Sequence, residues 1–171
     1  MKKILFIGRF QPFHLGHLSV IKEIDARGDV DEIIIGIGSS QYSQTDENPY
    51  NYETRKKMIE MVLPKELAKK FSIFAIPDVH ENNIWVDHVK NIVGSFDEVY
   101  TGNELVRSLF ADKKYLVLPI KIKIKVSGTK IREMIKNGDE KWKELVPEEI
   151  YDYPQIYKLA TNITNTDKFN L

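Results

Sequence analysis

The chain predicts an α/β fold: a Rossmann-like, doubly wound parallel sheet of about five strands, with one possible edge strand and a small C-terminal helical part. Three observations point there. Apolar runs of strand length alternate with stretches whose apolar residues recur at helical spacing. The strand-length runs are almost continuously apolar, as in parallel sheets covered on both faces. Gly8, Gly38 and Gly102 fall where such strands end, and ligands of open α/β sheets sit beyond those carboxyl ends.

Taken in order, Lys3-Ile4-Leu5-Phe6-Ile7-Gly8 reads as a buried strand opening a βα unit, with Leu18, Val20, Ile21 and Ile24 at helical spacing behind it. Residues Asp31 to Gly38 read as a second buried strand. A polar stretch from Ser39 to Tyr52 follows, in which Pro49 forbids a regular helix. Met58, Ile59 and Val62 then mark a helix over Glu53 to Leu63, stopped by Pro64. Phe71 to Ile76 is a third strand closed by Pro77, Ile84 to Val93 a helix, and Asp97 to Thr101 a fourth strand. Glu104 to Phe110 is helical, and Tyr115 to Leu118 gives the fifth strand.

From Ile120 to Val126 apolar residues and lysines alternate. That pattern suits an edge strand whose lysines discourage edge-to-edge pairing, or else a ribbon that attracts phosphate. Ser127 caps a helix running to Lys136 or Asn137 and stopped by Gly138, and Pro147-Glu148-Glu149 opens another. Residues from Thr161 onward are polar without a helical stripe and read as a flexible tail. The chain is expected to form one domain over residues 1–160, its helical part spanning 127–160 and its tail 161–171.

Bulk composition narrows the function. The 25 basic and 25 acidic residues balance, which gives no reason to expect a nucleic-acid or membrane partner. Cysteine is absent, so disulfides, thiolate metal sites and cysteine nucleophiles are excluded. No run approaches the ~20 apolar residues of a membrane span, and no signal peptide is recognisable. A cytoplasmic protein is expected.

The chemistry concentrates in Gly8-Arg9-Phe10-Gln11-Pro12-Phe13-His14-Leu15-Gly16-His17. Two imidazoles three residues apart, at a strand-to-helix turn, can both face a polyanion. The helix behind them offers free N–H groups and partial positive charge. Out of context, such a pair reads as a helix cap beside a surface histidine. It makes a weak metal site, having no cysteine and no evident third ligand.

This string resembles the (H/T)xGH signature of the nucleotidylyltransferase superfamily, in the form found in archaeal-type nicotinamide mononucleotide (NMN) adenylyltransferases. Ser127-Gly128-Thr129-Lys130-Ile131-Arg132 resembles the superfamily's second motif, in which hydroxyls and N–H groups at a helix start suit phosphates and a forked guanidinium bridges two phosphate oxygens. Asn82-Asn83-Ile84-Trp85 resembles the family's N-x-x-W, which implies an indole stacked on nicotinamide and an Asn on its amide. Ser39-Ser40-Gln41 and Thr101-Gly102-Asn103 resemble its S-A-Q and (S/T)-G-N. Residues Asn48 to Arg55 loosely resemble its N-P-F-T-A-G-E-R; Arg55 fits, while Glu53 and Thr54 depart from it.

The resemblance implies transfer of AMP from ATP to the 5′-phosphate of NMN, giving NAD and pyrophosphate. It implies His14, His17 and Arg132 as catalytic residues, with His17 nearest the α-phosphate. ATP would be held by Gly8, Arg9, Phe10, Gln11, His14, Gly16, His17, Gly102, Asn103, Ser127, Thr129 and Arg132, and NMN by Ser39, Asn82 and Trp85. Mg²⁺ would be carried mainly by ATP phosphates and water, with no metal site in the protein. The same resemblance implies a homo-oligomer, a hexamer in the archaeal relatives.

Other readings stay open. The acceptor could be phosphopantetheine, FMN or nicotinic acid mononucleotide, against which stand Trp85 and a Gln11 where other branches commonly have Asp. A class I aminoacyl-tRNA synthetase shares an HxGH motif, but the chain is too short and lacks a KMSKS-like element. A non-catalytic nucleotide sensor would not need His14, His17 and Arg132 together.

Overall fold

The computed structural model describes residues 1–63, 67, 70–120 and 126–157. Five parallel strands form one sheet: β1 (Lys2–Gly8), β2 (Val30–Gly38), β3 (Phe71–Ile76), β4 (Glu98–Tyr100) and β5 (Leu116–Leu118). Their order is β3-β2-β1-β4-β5, so the chain winds outward from β1 in one direction and then returns to wind in the other. Consecutive parallel strands need crossovers, and right-handed crossovers in opposite directions place helices on opposite faces. Helices α1 (Leu15–Asp25) and α2 (Tyr52–Val62) follow β1 and β2; α3 (Asn82–Val93) and α4 (Glu104–Asp112) follow β3 and β4.

The two faces are legible in the strand residues. On β1, Ile4 and Phe6 join a core with Val20, Ile21 and Ile24 of α1 and with Met58 and Ile59 of α2. Leu5 and Ile7, one residue out of phase, join a second core with Trp85, Val86 and Val89 of α3 and Phe110 of α4. Both faces are dry, which accounts for the unbroken apolar runs. The C-terminal part adds α5 (Gly128–Lys136), α6 (Glu148–Tyr151) and two short 3₁₀ turns, Glu140–Leu145 and Pro154–Tyr157. Ile131, Ile135, Trp142, Ile150 and Ile156 extend the first core.

Most expected elements appear within a residue or two of their bounds. The fourth strand is shorter than expected, because the Lys3 amide donates to the Asp97 side chain and Thr101 Oγ1 accepts from the Asn103 amide. The fifth starts one residue late, because the Tyr115 amide closes α4 on the Phe110 carbonyl. Pro147 stands at the cap of α6 rather than in its first turn. The helix predicted to start at Ser127 is found with Ser127 as cap, and Gly138 takes φ +69° just past its end. The stop at Pro64, most of the alternating segment 120–126 and the tail 161–171 lie outside the described residues.

Candidate active site

Two clefts open beyond the carboxyl ends of the strands, at the point where the winding direction reverses. One, of about 300 Å³, gathers all twelve residues expected to hold ATP. The other, of about 390 Å³, gathers Ser39, Asn82 and Trp85. Gly8 and Arg9 of the first turn, with Thr101 and Asn103 after β4, line both. The clefts therefore meet at the ends of β1 and β4.

His14 and His17 cap α1 reciprocally. The His17 amide donates to His14 Nδ1 at 3.4 Å and the His14 amide donates to His17 Nδ1 at 3.2 Å. The rings stack with centroids 3.6 Å apart. A ring nitrogen that accepts carries no proton, so a neutral imidazole keeps its hydrogen on Nε2. The helix cap thus fixes the tautomer and leaves both Nε2–H groups as donors. Burial holds His14 down to about 4 and His17 well below the usual histidine range, with the neighbouring His14 adding to the effect on His17. Both are neutral in the free protein at pH 7. The residues that cap α1 are also the ones that line the first cleft.

Glycine at position 16 is required by this stack: a Cβ there would lie 2.9 Å from Val126 Cγ1 and 3.0 Å from the His14 ring. Gly128 joins the two motifs, because a Cβ there would lie 2.7 Å from the Gln11 carbonyl oxygen.

Several expected ATP residues line the cleft with backbone or with side chains already engaged. Phe10 is buried and lies edge-on beneath His17, centroids 4.7 Å apart, so its ring supports the imidazole. Gln11 spends both side-chain atoms on the Tyr50 backbone, at 2.8 and 3.0 Å. It fixes the loop above the cleft. Asn103 and Ser127 accept from the amides of Val106 and Lys130 as caps of α4 and α5. Arg132 donates to the carbonyls of Asp46 (3.0 Å) and Gln11 (2.7 Å) and to Thr129 Oγ1 (3.3 Å). It has five N–H donors, and the remaining two are not used in these bonds.

In the second cleft, Ser39 donates its hydroxyl to Asp78 Oδ2 at 2.8 Å. Gln41 and the Asp78 backbone exchange two hydrogen bonds at 3.0 Å. Asn82 is exposed in the first turn of α3, whose cap residue Glu81 makes no side-chain cap bond. Trp85 is buried, edge-on to Phe110 at 5.8 Å, yet it also lines the cleft. It is a core residue with one surface presented to the second cleft.

Sequence reasoning assigned no role to Asp78, which follows β3 at the position where strand ends meet ligands. It recognised Arg55 only as a motif match. Arg55 is fully buried, among Met58 and Ile59 on the inner stripe of α2. A cation in an apolar stripe was the available signal. Among the described residues no group of three or more His, Asp or Glu could hold a metal ion.

A Rossmann-like sheet, a histidine-capped helix facing one cleft and a second cleft sharing its border define a nucleotide-binding α/β protein of the nucleotidyltransferase class. The chain belongs to the cytidylyltransferase-like family, whose pattern matches residues 5–134, and within it to the nicotinamide-nucleotide adenylyltransferases. It is 45% identical over 152 residues to the nicotinamide-nucleotide adenylyltransferase of Thermoplasma volcanium, covering 88% of this chain and 84% of that protein. It is 39% identical to that of Thermococcus onnurineus, covering 98% and 93%. Its fold is similar to a bifunctional NMN adenylyltransferase/ADP ribose pyrophosphatase from Francisella tularensis, with TM-score 0.70 and 21% identity over 98% of this chain and 55% of that one.

Proposed function

We propose that the histidine cleft takes ATP and the Trp85 cleft takes NMN, and that the protein transfers AMP to the 5′-phosphate of NMN, forming NAD and pyrophosphate. The observation that carries this reading is the shared border at Gly8 and Arg9, which lets a phosphate in one cleft meet the triphosphate in the other. A mononucleotide phosphate is already a nucleophile, so no side chain need attack. One of its oxygens bonds to the α-phosphorus as the bond to the leaving pyrophosphate breaks.

The protein's part is alignment of two anions and stabilisation of charge on the α-phosphate and the leaving group. His14 and His17 do this through Nε2–H donors already aimed by the cap, and Arg9 and Arg132 through guanidinium charge. Nucleotidyltransferases of this kind use a divalent metal with ATP, and Mg²⁺ enters here as part of that substrate. The oxygen donors around the cleft, among them Thr101, Ser127 and Thr129, fit an ion that brings its own phosphate and water ligands.

We also read residues 1–160 as a single nucleotidyltransferase domain, the protein as cytoplasmic, and its working form as a homo-oligomer. Among the described residues no helix is long and apolar enough to cross a membrane. The decisive assay mixes the protein with ATP, Mg²⁺ and one acceptor at a time, and follows pyrophosphate. NMN is expected to give the highest kcat/KM. A preference for nicotinic acid mononucleotide, phosphopantetheine or FMN overturns the assignment of the second cleft. ATP binding without turnover on any of them would make the protein a sensor.

A further inference from the structure

Arg55 is the largest fully buried side chain among the described residues, and its hydrogen bonds there all go to backbone carbonyls, with Asp78 acting on it only through space. Its Nη1 donates to the Arg9 carbonyl at 2.9 Å and the Gly38 carbonyl at 2.8 Å, and its Nη2 donates to the Ser39 carbonyl at 3.1 Å. Burial, with the charge of Arg9 nearby, pulls its pKa down to about 10. A buried cation satisfied only by carbonyls is a poor way to gain stability, since an apolar residue would fill the same place without desolvating charge.

What the contacts accomplish is orientation. In a planar trans peptide the N–H points opposite to the C=O. Turning the Arg9 and Gly38 carbonyls onto the guanidinium therefore turns the Phe10 and Ser39 N–H groups away from it. Phe10 lines the first cleft and Ser39 the second. Both have left-handed backbone, φ +52° and +50°, which non-glycine residues rarely adopt and which needs outside support. One side chain grips the peptide that precedes each of them.

We propose that Arg55 is a positioning residue for the transfer reaction, setting two peptides so that each cleft receives a backbone N–H donor, Phe10 for the triphosphate and Ser39 for the mononucleotide. The proposal rests on the reading of the clefts given above. It couples the two substrates' sites through one group that neither substrate touches.

The test has two arms on the full-length protein. In ¹⁵N-labelled wild type, Mg-ATP alone is expected to shift the Phe10 amide proton downfield, and NMN alone the Ser39 amide proton. In R55K the ammonium ends one bond short of the Nη1 position and has no second nitrogen for the Ser39 carbonyl, so it cannot hold all three carbonyls. The variant is expected to keep the wild-type circular dichroism spectrum while the Michaelis constants for both nucleotides rise about tenfold, the scale of one charged hydrogen bond. Silence of either amide, or a folded R55K with both constants within twofold of wild type, overturns the proposal. If R55K does not fold, the wild-type amides decide alone. Wild-type turnover with ATP and NMN tests the underlying reading separately, so the two failures are distinguishable.

Discussion

The two ends of the sheet use the same kinds of side chain in opposite ways. At the amino end, cations are matched with carboxylates. Buried Glu98 accepts from Arg27 Nη1 and Lys2 Nζ, each at 2.5 Å; Arg27 also reaches Asp29 at 2.9 Å, and Lys3 reaches Glu32 at 2.9 Å. At the carboxyl end, Arg55 and Arg132 donate to carbonyls, and the histidines are held neutral by burial. The single carboxylate on Arg9 among the described residues is Glu47, at 3.4 Å and exposed. A charge neutralised inside the protein has little left for a ligand. The amino end holds the strands together; the carboxyl end keeps its positive potential for phosphates.

The largest effect is expected from Glu98→Gln. Removing the buried carboxylate leaves Arg27 and Lys2 with Asp29 alone, at a cost of about 3 kcal/mol, the bottom of the range for a broken buried pair because both cations keep some water. Urea unfolding measures it, and the Michaelis constants for ATP and NMN should not move. A change in either constant would mean that the two ends are not separate. Next comes His17→Ala, which removes an Nε2–H donor from developing charge. Turnover should fall about a hundredfold or more, ~3 kcal/mol of barrier, with the fold retained. Near-wild-type turnover would remove His17 from the chemistry.

Acid should take the two ends apart in sequence. A histidine whose folded pKa lies below its unfolded value of 6.5 binds its proton more readily in the unfolded chain. Stability therefore falls as pH drops from about 6.5 toward 4, the window set by His14. Glu98 and Asp29 are depressed by hydrogen bonds from Arg27, Asp29 to about 2, so their contribution is present above the ordinary carboxylate range and is lost only as pH falls through their lowered values. Between pH 7 and 5 the free protein should lose about 2 kcal/mol through His14, measured by urea unfolding. His14→Asn keeps a good helix cap without a titrating group and should remove the share of that step due to His14, leaving the share due to His17. A step of undiminished size would place the proton elsewhere.

The sheet was legible because strand length, apolar run and helical spacing are local properties, and the lining of the first cleft because it sits in three short strings. The direction in which a side chain points was not. Gln11, Asn103 and Ser127 sit at the expected cleft, but their side chains are taken by the Tyr50 backbone or by the helices they cap. Spacing alone cannot show which partner is nearer. Arg55 was harder still, because the carbonyls it holds lie 17 and 46 residues away along the chain. Its role exists only once β1 and β2 are side by side. Trp85 belongs to the second core and also lines the second cleft, a double position that its helical spacing could not show.

The smallest effect tests the weakest point of the contrast, the pair between Arg9 and Glu47. Glu47 is 78% exposed on its side chain and Arg9 47%, so water screens the pair and its net worth is small, ~0.2–1 kcal/mol. Glu47 holds a guanidinium that borders both clefts. Glu47→Gln removes that hold and a negative charge facing the incoming triphosphate. The Michaelis constant for ATP should fall about two- to threefold at low salt, and the difference should shrink as salt is added, because exposed charges are screened within a Debye length of ~8–10 Å. Melting temperature should stay unchanged. If the ATP constant rises instead, Glu47 orients Arg9 for the substrate, and the carboxyl end carries an ion pair that works as those of the amino end do.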